Sequence, residues 1–250
     1  MDAKTFFKDH PEAAVAFSGG VDSAYLLYLA NRNCSRVCAY YVRSQFQPDF
    51  EYEDAVSVCR KIGVDLFVID VDVLADETVV SNPADRCYHC KKRIFSTIID
   101  RASKDGFNTV FDGTNASDDE GDRPGMRALR EMGVISPLKI LGLSKDRIRQ
   151  LSKEAGLMTW NKPAYACLAT RIPTGEKITA KKLSRTADAE KFMMSLGFSD
   201  FRVRTRGDNA LIQIVSSDME LFCEKRKTIQ KKLSQMYGKV MLDTEARDEH

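Results

Sequence analysis

The chain has 250 residues, of which 43% are hydrophobic and 30% charged, and its formal net charge is +2. That balance belongs to a soluble globular protein, one domain with an appendage or two modest ones; it excludes a disordered chain and gives no electrostatic bias toward nucleic acid. No apolar run is long enough to span a membrane, the start MDAKTFFKDHPEAA lacks the apolar stretch of a secretory signal, and seven cysteines without an export signal suit a reducing cytoplasm.

Short apolar runs alternate with helical patterns through the first two thirds. AAVAF (13–17), VCAYYV (37–42), LFVIDV (66–71) and NTVFDG (108–113) read as buried strands, with helices near 21–32, 50–62 and 88–104 between them. Such alternation predicts an α/β fold, a parallel sheet covered by helices on both faces. LSKDRIRQLSKEAG is a further helix, with Ser144 as its N-cap, Ile148, Leu151 and Ala155 on one face and Gly156 as its stop. The pattern changes after PAYACLATRIPTGEKIT. A polar helix near 180–196 is followed by DFRVRTR and ALIQIV, two alternating segments joined through GDN as a hairpin, then a helix near 218–236 and a short strand KVMLD. The expected organisation is a nucleotide-type domain over residues 1–170 and a small α+β domain over 171–250.

The stretch AVAFSGGVDSAYLLYLA joins the first strand to the first predicted helix of this pattern through Ser18, Gly19 and Gly20. The glycines let backbone approach a ligand closely, and the N–H groups at the helix start favour an anion. Ser18 and Ser23 add hydroxyls. Asp22 would repel a bound phosphate unless a cation such as Mg²⁺ sits between them. The stretch lacks the lysine of a Walker A loop and the spacing of the dinucleotide fingerprint. S-G-G-V-D-S resembles the PP-loop of the ATP pyrophosphatase superfamily, which implies ATP as co-substrate, cut between its α and β phosphates. DGTNASDD (112–119) closes the fourth strand on the same edge. Resembling superfamily members carry G-T-N near the nucleotide, which points to Gly113, Thr114 and Asn115 for ATP and to Asp118 or Asp119 for Mg²⁺.

NPADRCYHCKKRIF holds Cys87 and Cys90, and PAYACLATRIP holds Cys167. A lone C-x-x-C is compatible with a redox pair, half a zinc site or part of an iron–sulfur site. No second C-x-x-C completes a four-cysteine zinc site. Three thiolates leave one metal position open, which suits a reactive [4Fe–4S] centre that offers sulfide from its fourth iron. Cys34, Cys38, Cys59 and Cys223 fall in strand or helix patterns and read as inert thiols. Lys91, Lys92 and Arg93 follow Cys90 and would offset negative charge nearby.

The segments SNPADRCYHCK, DGTNASDDEGDRPGMRALRE, SPLKILGLSKDRIRQLSKEAGLMTWNKPAYACLATRIPTGEKIT and FRVRTRGDNALIQI resemble the LarE family in sequence and order, from about residue 10 to 243. The resemblance implies an ATP-dependent sulfur transferase of nickel-pincer nucleotide biosynthesis. Such an enzyme adenylates a carboxylate of pyridinium-3,5-biscarboxylic acid mononucleotide and replaces oxygen by sulfur. It implies catalytic roles for Asp22, Cys87, Cys90 and Cys167, with the three cysteines holding a [4Fe–4S] cluster. Other members instead sacrifice the cysteine matching Cys167. It further implies that Arg171, Arg202 and Arg204 bind the substrate phosphate, that a separate sulfide donor exists, and that the chain assembles as a homo-oligomer, a hexamer in the family. The chain departs from the pattern at its end, LDTEARDEH, and at Gln213, where the family often has an acid. Two other superfamily readings are a tRNA thiolase, which usually carries added zinc motifs and a basic surface, and an amidoligase of the NAD or GMP synthetase type, which leaves the three cysteines without a role. A non-enzymatic nucleotide- or metal-binding module does not account for the loop, Asp22 and the cysteines together.

Overall fold

The computed structural model describes residues 2–118 and 124–247. They form two compact units, one built from 1–73 and 85–162, the other from 74–84 and 163–250. No helix among the described residues is long and apolar enough to cross a membrane.

The first unit runs α1 (Ala3–Asp9), β1 (Glu12–Ala16), α2 (Val21–Asn33), β2 (Arg36–Arg43), α3 (Asp49–Ile62) and β3 (Leu66–Asp70). After the short helix α4 (Glu77–Val80), which belongs to the second unit, it resumes with α5 (Arg86–Lys104), β4 (Val110–Phe111), α6 (Pro124–Glu131), α7 (Pro137–Ile140) and α8 (Lys145–Glu154). Its sheet has the order β3-β2-β1-β4 and every pairing is parallel. β1 is EAAVA, buried along its centre on both faces, which is why it reads as a continuous apolar run rather than an alternating one. Ala13 and Val15 of β1, Ala39 and Tyr41 of β2, and the apolar faces of α2, α3 and α8 share one core. On the other face Tyr40 stacks on Phe67 at 5.4 Å and meets the edge of Phe107 at 6.3 Å.

The strand order has one reversal. From β1 the chain moves outward to β2 and β3, then returns to place β4 on the other side of β1. Open parallel sheets bind ligands at the carboxyl ends of the strands where the order reverses, here β1 and β4. The segment 108–113 forms less strand than its composition predicts. Only Val110 and Phe111 pair with β1, through Ala14 and Val15, and from Asp112 onward the chain turns away toward the start of α2.

The second unit packs α9 (Ala180–Ser195) and α10 (Met219–Leu233) with β5 (Phe201–Arg206), β6 (Asn209–Ile214) and β7 (Val240–Leu242). β5 and β6 form the predicted hairpin, closed by Gly207 and Asp208, and β7 adds a parallel strand beside β6. Phe201 and Val203 face the core, so Arg202 and Arg204 share the opposite face of β5.

Candidate active site

The connection from β1 to α2 is held open by its own side chains. Gly19 sits at φ 74°, and a Cβ there would lie 3.2 Å from the Glu51 carbonyl oxygen and 3.3 Å from the Ala55 Cβ, so both conformation and space require glycine. Ser18 and Ser23 Oγ are 3.0 Å apart, and the Gly20 N–H donates to Ser18 Oγ at 3.4 Å. Gly20 is the N-cap of α2 and provides no side chain to cap the helix. The first turn of α2 therefore presents its amides and the positive end of its dipole to the cleft, an arrangement suited to phosphate.

The loop after β4 forms the facing wall. Asp112, buried, accepts from the Thr114 amide at 3.2 Å, from the Thr114 hydroxyl, and from the Ser136 hydroxyl at 2.5 Å. Asp118 accepts from the Asn115 amide at 2.9 Å; Asp119 lies outside the described residues. Gly113 passes so close to α2 that a Cβ on it would lie 3.0 Å from the Ser23 nitrogen and 3.2 Å from the Ser23 Cα. Those are backbone atoms and cannot swing aside. Gly113→Ala is expected to cost about 1–3 kcal/mol by overpacking and to weaken ATP binding. Urea unfolding and nucleotide titration check this, and a variant equal to the parent in both would show that the close approach is dispensable.

Asp22 is bound on both carboxylate oxygens. Lys145 Nζ donates to Oδ2 at 2.5 Å and Asn115 Nδ2 donates to Oδ1 at 3.3 Å. Lys145 is the first residue of α8, and its own amide donates to Ser117 Oγ at 2.9 Å, which ties α8 to the loop after β4. A second lysine, Lys162, reaches the loop at Gly19 O (3.4 Å) and pairs with Asp54 at 2.7 Å.

A cleft of about 560 Å³ opens at this edge of the sheet, floored by Ser18, Gly20, Asp22 and Ser23 and walled by Gly113, Thr114 and Asp118. Cys87, Lys91 and Phe95 of α5 line the same cleft. Cys87 and Cys90 lie in the first two turns of α5, three residues apart and so on one helical face. Cys87 is exposed and Cys90 half-buried, and Arg86 Nη2 approaches Cys87 Sγ at 3.6 Å. Two further thiols of this unit are held protonated: burial pushes Cys59 up to about 12 and Cys34 up to about 11. Within neither unit do three His, Cys, Asp or Glu side chains of the described residues form a group that could hold a metal ion.

Cys167 belongs to the second unit, at the N-cap of the 3-10 turn Leu168–Arg171. Its surroundings are strongly cationic. Arg171 is fully buried and its guanidinium faces inward, donating to Glu190 at 2.8 and 3.1 Å, to the Ala166 carbonyl at 3.0 Å and to the Thr170 hydroxyl at 2.7 Å. Arg202 donates to the carbonyls of Phe201 (2.6 Å) and Ala164 (2.5 Å), while Arg204 donates to the Thr170 carbonyl at 2.8 Å and to Gln213. Gln213 in turn donates to Asp243 at 2.7 Å, and Arg247 donates to Asp200 at 3.2 Å. Burial, and then the neighbouring charges of Arg171 and Arg247, push Arg202 down to about 10; burial and the same neighbours lower Arg204. Positive charges that depress one another in this way are relieved by an anion.

Of the residues singled out from sequence, Ser18, Gly19, Gly20, Asp22, Ser23, Gly113, Thr114, Asn115 and Cys87 come together around one cleft or the loops that form it. Cys167, Arg171, Arg202 and Arg204 form a second cluster in the other unit. Lys145, Lys162 and Asp112 escaped sequence reasoning. For Lys145 one signal was present: a cation at the first position of a helix opposes the dipole and calls for a partner.

Residues 12–111 match the family model described as queuosine biosynthesis protein QueC. The chain is 36% identical to an uncharacterised Synechocystis protein over 88% of its length and 83% of that protein's. It is 34% identical to the pyridinium-3,5-bisthiocarboxylic acid mononucleotide synthase of Lactiplantibacillus plantarum, over 83% of this chain and 76% of that enzyme. A more distant likeness, 24% over 58% of this chain and 52% of the relative, joins it to the tRNA-specific 2-thiouridylase MnmA of Thermotoga maritima.

Proposed function

This chain belongs to the LarE family, that of the Lactiplantibacillus synthase, and from that premise we propose that it converts a carboxylate of pyridinium-3,5-biscarboxylic acid mononucleotide into a thiocarboxylate. Its first unit has the PP-loop ATP pyrophosphatase fold, and the chain is an ATP-dependent sulfurtransferase. The observation that carries the proposal is the shared cleft, in which an exposed cysteine, Cys87, lines the same space as the phosphate loop.

The chemistry follows from what a carboxylate lacks. Its oxygens are poor leaving groups, so one of them attacks the α-phosphorus of ATP and pyrophosphate departs. The loop amides and Ser18 and Ser23 stabilise the charge that develops on pyrophosphate. Asp22, with Asp118 beside it in the cleft, offers the oxygen donors that Mg²⁺ prefers, and such an ion offsets charge on the polyphosphate. Sulfur then attacks the acyl carbon and AMP leaves with the electron pair of the broken C–O bond. We assign the substrate's own phosphate to the cationic cluster of Arg202 and Arg204, with Arg171 behind them, activation to residues 1–170 and phosphate capture to 171–250.

Cys87 and Cys90, one helical turn apart with Cys87 lining the cleft, are thiolate donors of the kind an iron–sulfur cluster takes. With Cys167 as the third thiolate, these residues would hold a [4Fe–4S] cluster, which would supply sulfide for the transfer. The test is purification without air, with iron and acid-labile sulfide determined and the chain weighed after turnover. The expected result is cluster-bound iron and an unchanged chain mass. A chain lighter by one H₂S would show that Cys167 gives up its own sulfur, and an iron-free chain that thiolates tRNA would favour the activity named for the Thermotoga relative.

A further inference from the structure

Asn82 follows α4 and is held in a conformation that few residues take. Its φ is 57°, and among the described residues no other non-glycine residue has a positive φ. After a helix this left-handed conformation is usually given to glycine, with asparagine the second choice. Pro83 comes next and favours extended backbone in the residue before it, which makes the conformation less expected still. A buried residue kept in such a state is fixed by what surrounds it.

What surrounds Asn82 is one loop, residues 172–178. Its side-chain amide donates to the Pro173 carbonyl at 2.7 Å, to that of Glu176 at 3.3 Å and to that of Ile172 at 3.4 Å. Its main-chain carbonyl accepts from the Gly175 amide at 2.8 Å, and the Val80 carbonyl accepts from the Ile178 amide at 2.8 Å. All of these residues belong to the second unit. A glycine at position 82 would end α4 and make the same main-chain bonds, so the side-chain amide serves the loop alone. The loop's place in the chain gives this a meaning. Ile172 directly follows the 3-10 turn that Cys167 caps, and Asn82 shortly precedes Asp85, the N-cap of α5, whose first two turns carry Cys87 and Cys90. Asn82 and Ile172 each stand five residues from a cysteine, Cys87 and Cys167 respectively.

We propose that Asn82 is a positioning residue for the three-cysteine donor set. Its amide fastens the segment that leads into Cys87 and Cys90 to the segment that leads away from Cys167. The two are tied before any metal arrives. Donors far apart in sequence must otherwise be gathered against chain entropy, and groups that orient ligands without touching the metal govern how firmly it is held. This rests on the reading of Cys87, Cys90 and Cys167 as ligands of one cluster.

Asn82→Gly keeps the left-handed backbone and the main-chain bonds and removes only the amide. Purified without air, this variant should lose iron to a chelator about tenfold faster than the parent, as read by the visible absorbance of the cluster. Its ATP affinity should equal the parent's, because the nucleotide loops are untouched. Ile229→Ala, in the apolar core of the second unit, separates positioning from plain stability. That variant should lower the urea midpoint more than Asn82→Gly does and yet hold iron like the parent. Iron loss at the parent's rate in Asn82→Gly, or iron loss that follows the urea midpoints of the two variants, overturns the proposal. Should Asn82→Gly fail to fold, Asn82→Asp decides in its place. It keeps the shape and the left-handed preference but sets an acceptor against three carbonyls, and a cluster as durable as the parent's also overturns the proposal. A parent chain that assembles no cluster would instead overturn the three-cysteine reading on which it rests.

Discussion

Replacing Cys87 with alanine is expected to abolish thiocarboxylate formation, by about 10³-fold or more, while leaving ATP binding and substrate-dependent pyrophosphate release within a few-fold of the parent. Cys87 lines the cleft but makes none of the contacts that shape the phosphate loop, so its loss separates activation from sulfur delivery. Groups that act as one unit fail together. Cys90→Ala, Cys167→Ala and the triple replacement should therefore be no worse than Cys87→Ala. Mass spectrometry of the product and a coupled pyrophosphate assay measure the two halves of the reaction. A Cys87→Ala chain that still transfers sulfur while Cys167→Ala does not would mean that Cys167 acts alone.

The largest effect on stability is expected at Glu190. Its carboxylate is buried and accepts from Arg171 twice, from the Val203 amide at 2.9 Å and from the Tyr165 hydroxyl. Glu190→Ala leaves a guanidinium in the interior with no counter-charge, at a cost of about 3–5 kcal/mol. Replacing both partners at once, Arg171→Met with Glu190→Leu, should recover much of that loss, because hydrophobic groups of similar size need no compensation. Urea unfolding of the single and double variants provides the measurement. A Glu190→Ala chain with an unchanged midpoint, or a double variant no better than the single, would refute the assignment.

The parts of the fold that were legible in sequence are those fixed by local chemistry. β1 to β3 are apolar runs because both sheet faces are covered, and α8 announces itself through Ser144, whose hydroxyl accepts from the Arg147 amide, and through Gly156 at φ 68°. β4 was overestimated because NTVFDG has strand composition, whereas the approach of Gly113 to Ser23 draws the chain off the sheet after two residues. Long-range electrostatics were not legible. Asp22 and Lys145 are separated by 123 positions, and Glu190 lies in a polar helix pattern where an acid would be expected to face solvent. Sequence reasoning identified the charge on Asp22 as a problem to be solved but did not find the counter-charge that Lys145 provides.

The arginines of the second unit have one more consequence. Arg202 holds the Ala164 carbonyl, Arg171 that of Ala166, and Arg204 that of Thr170, so three cationic side chains fasten the main chain on either side of Cys167. The thiol is thus carried on a strap whose fastenings are the same groups to which we assign the substrate's phosphate. Changes at these arginines and at Cys167 should show strong epistasis: no single arginine substitution can alter anion affinity without also shifting the donor atom, and natural variation at one of these positions will be constrained by the others.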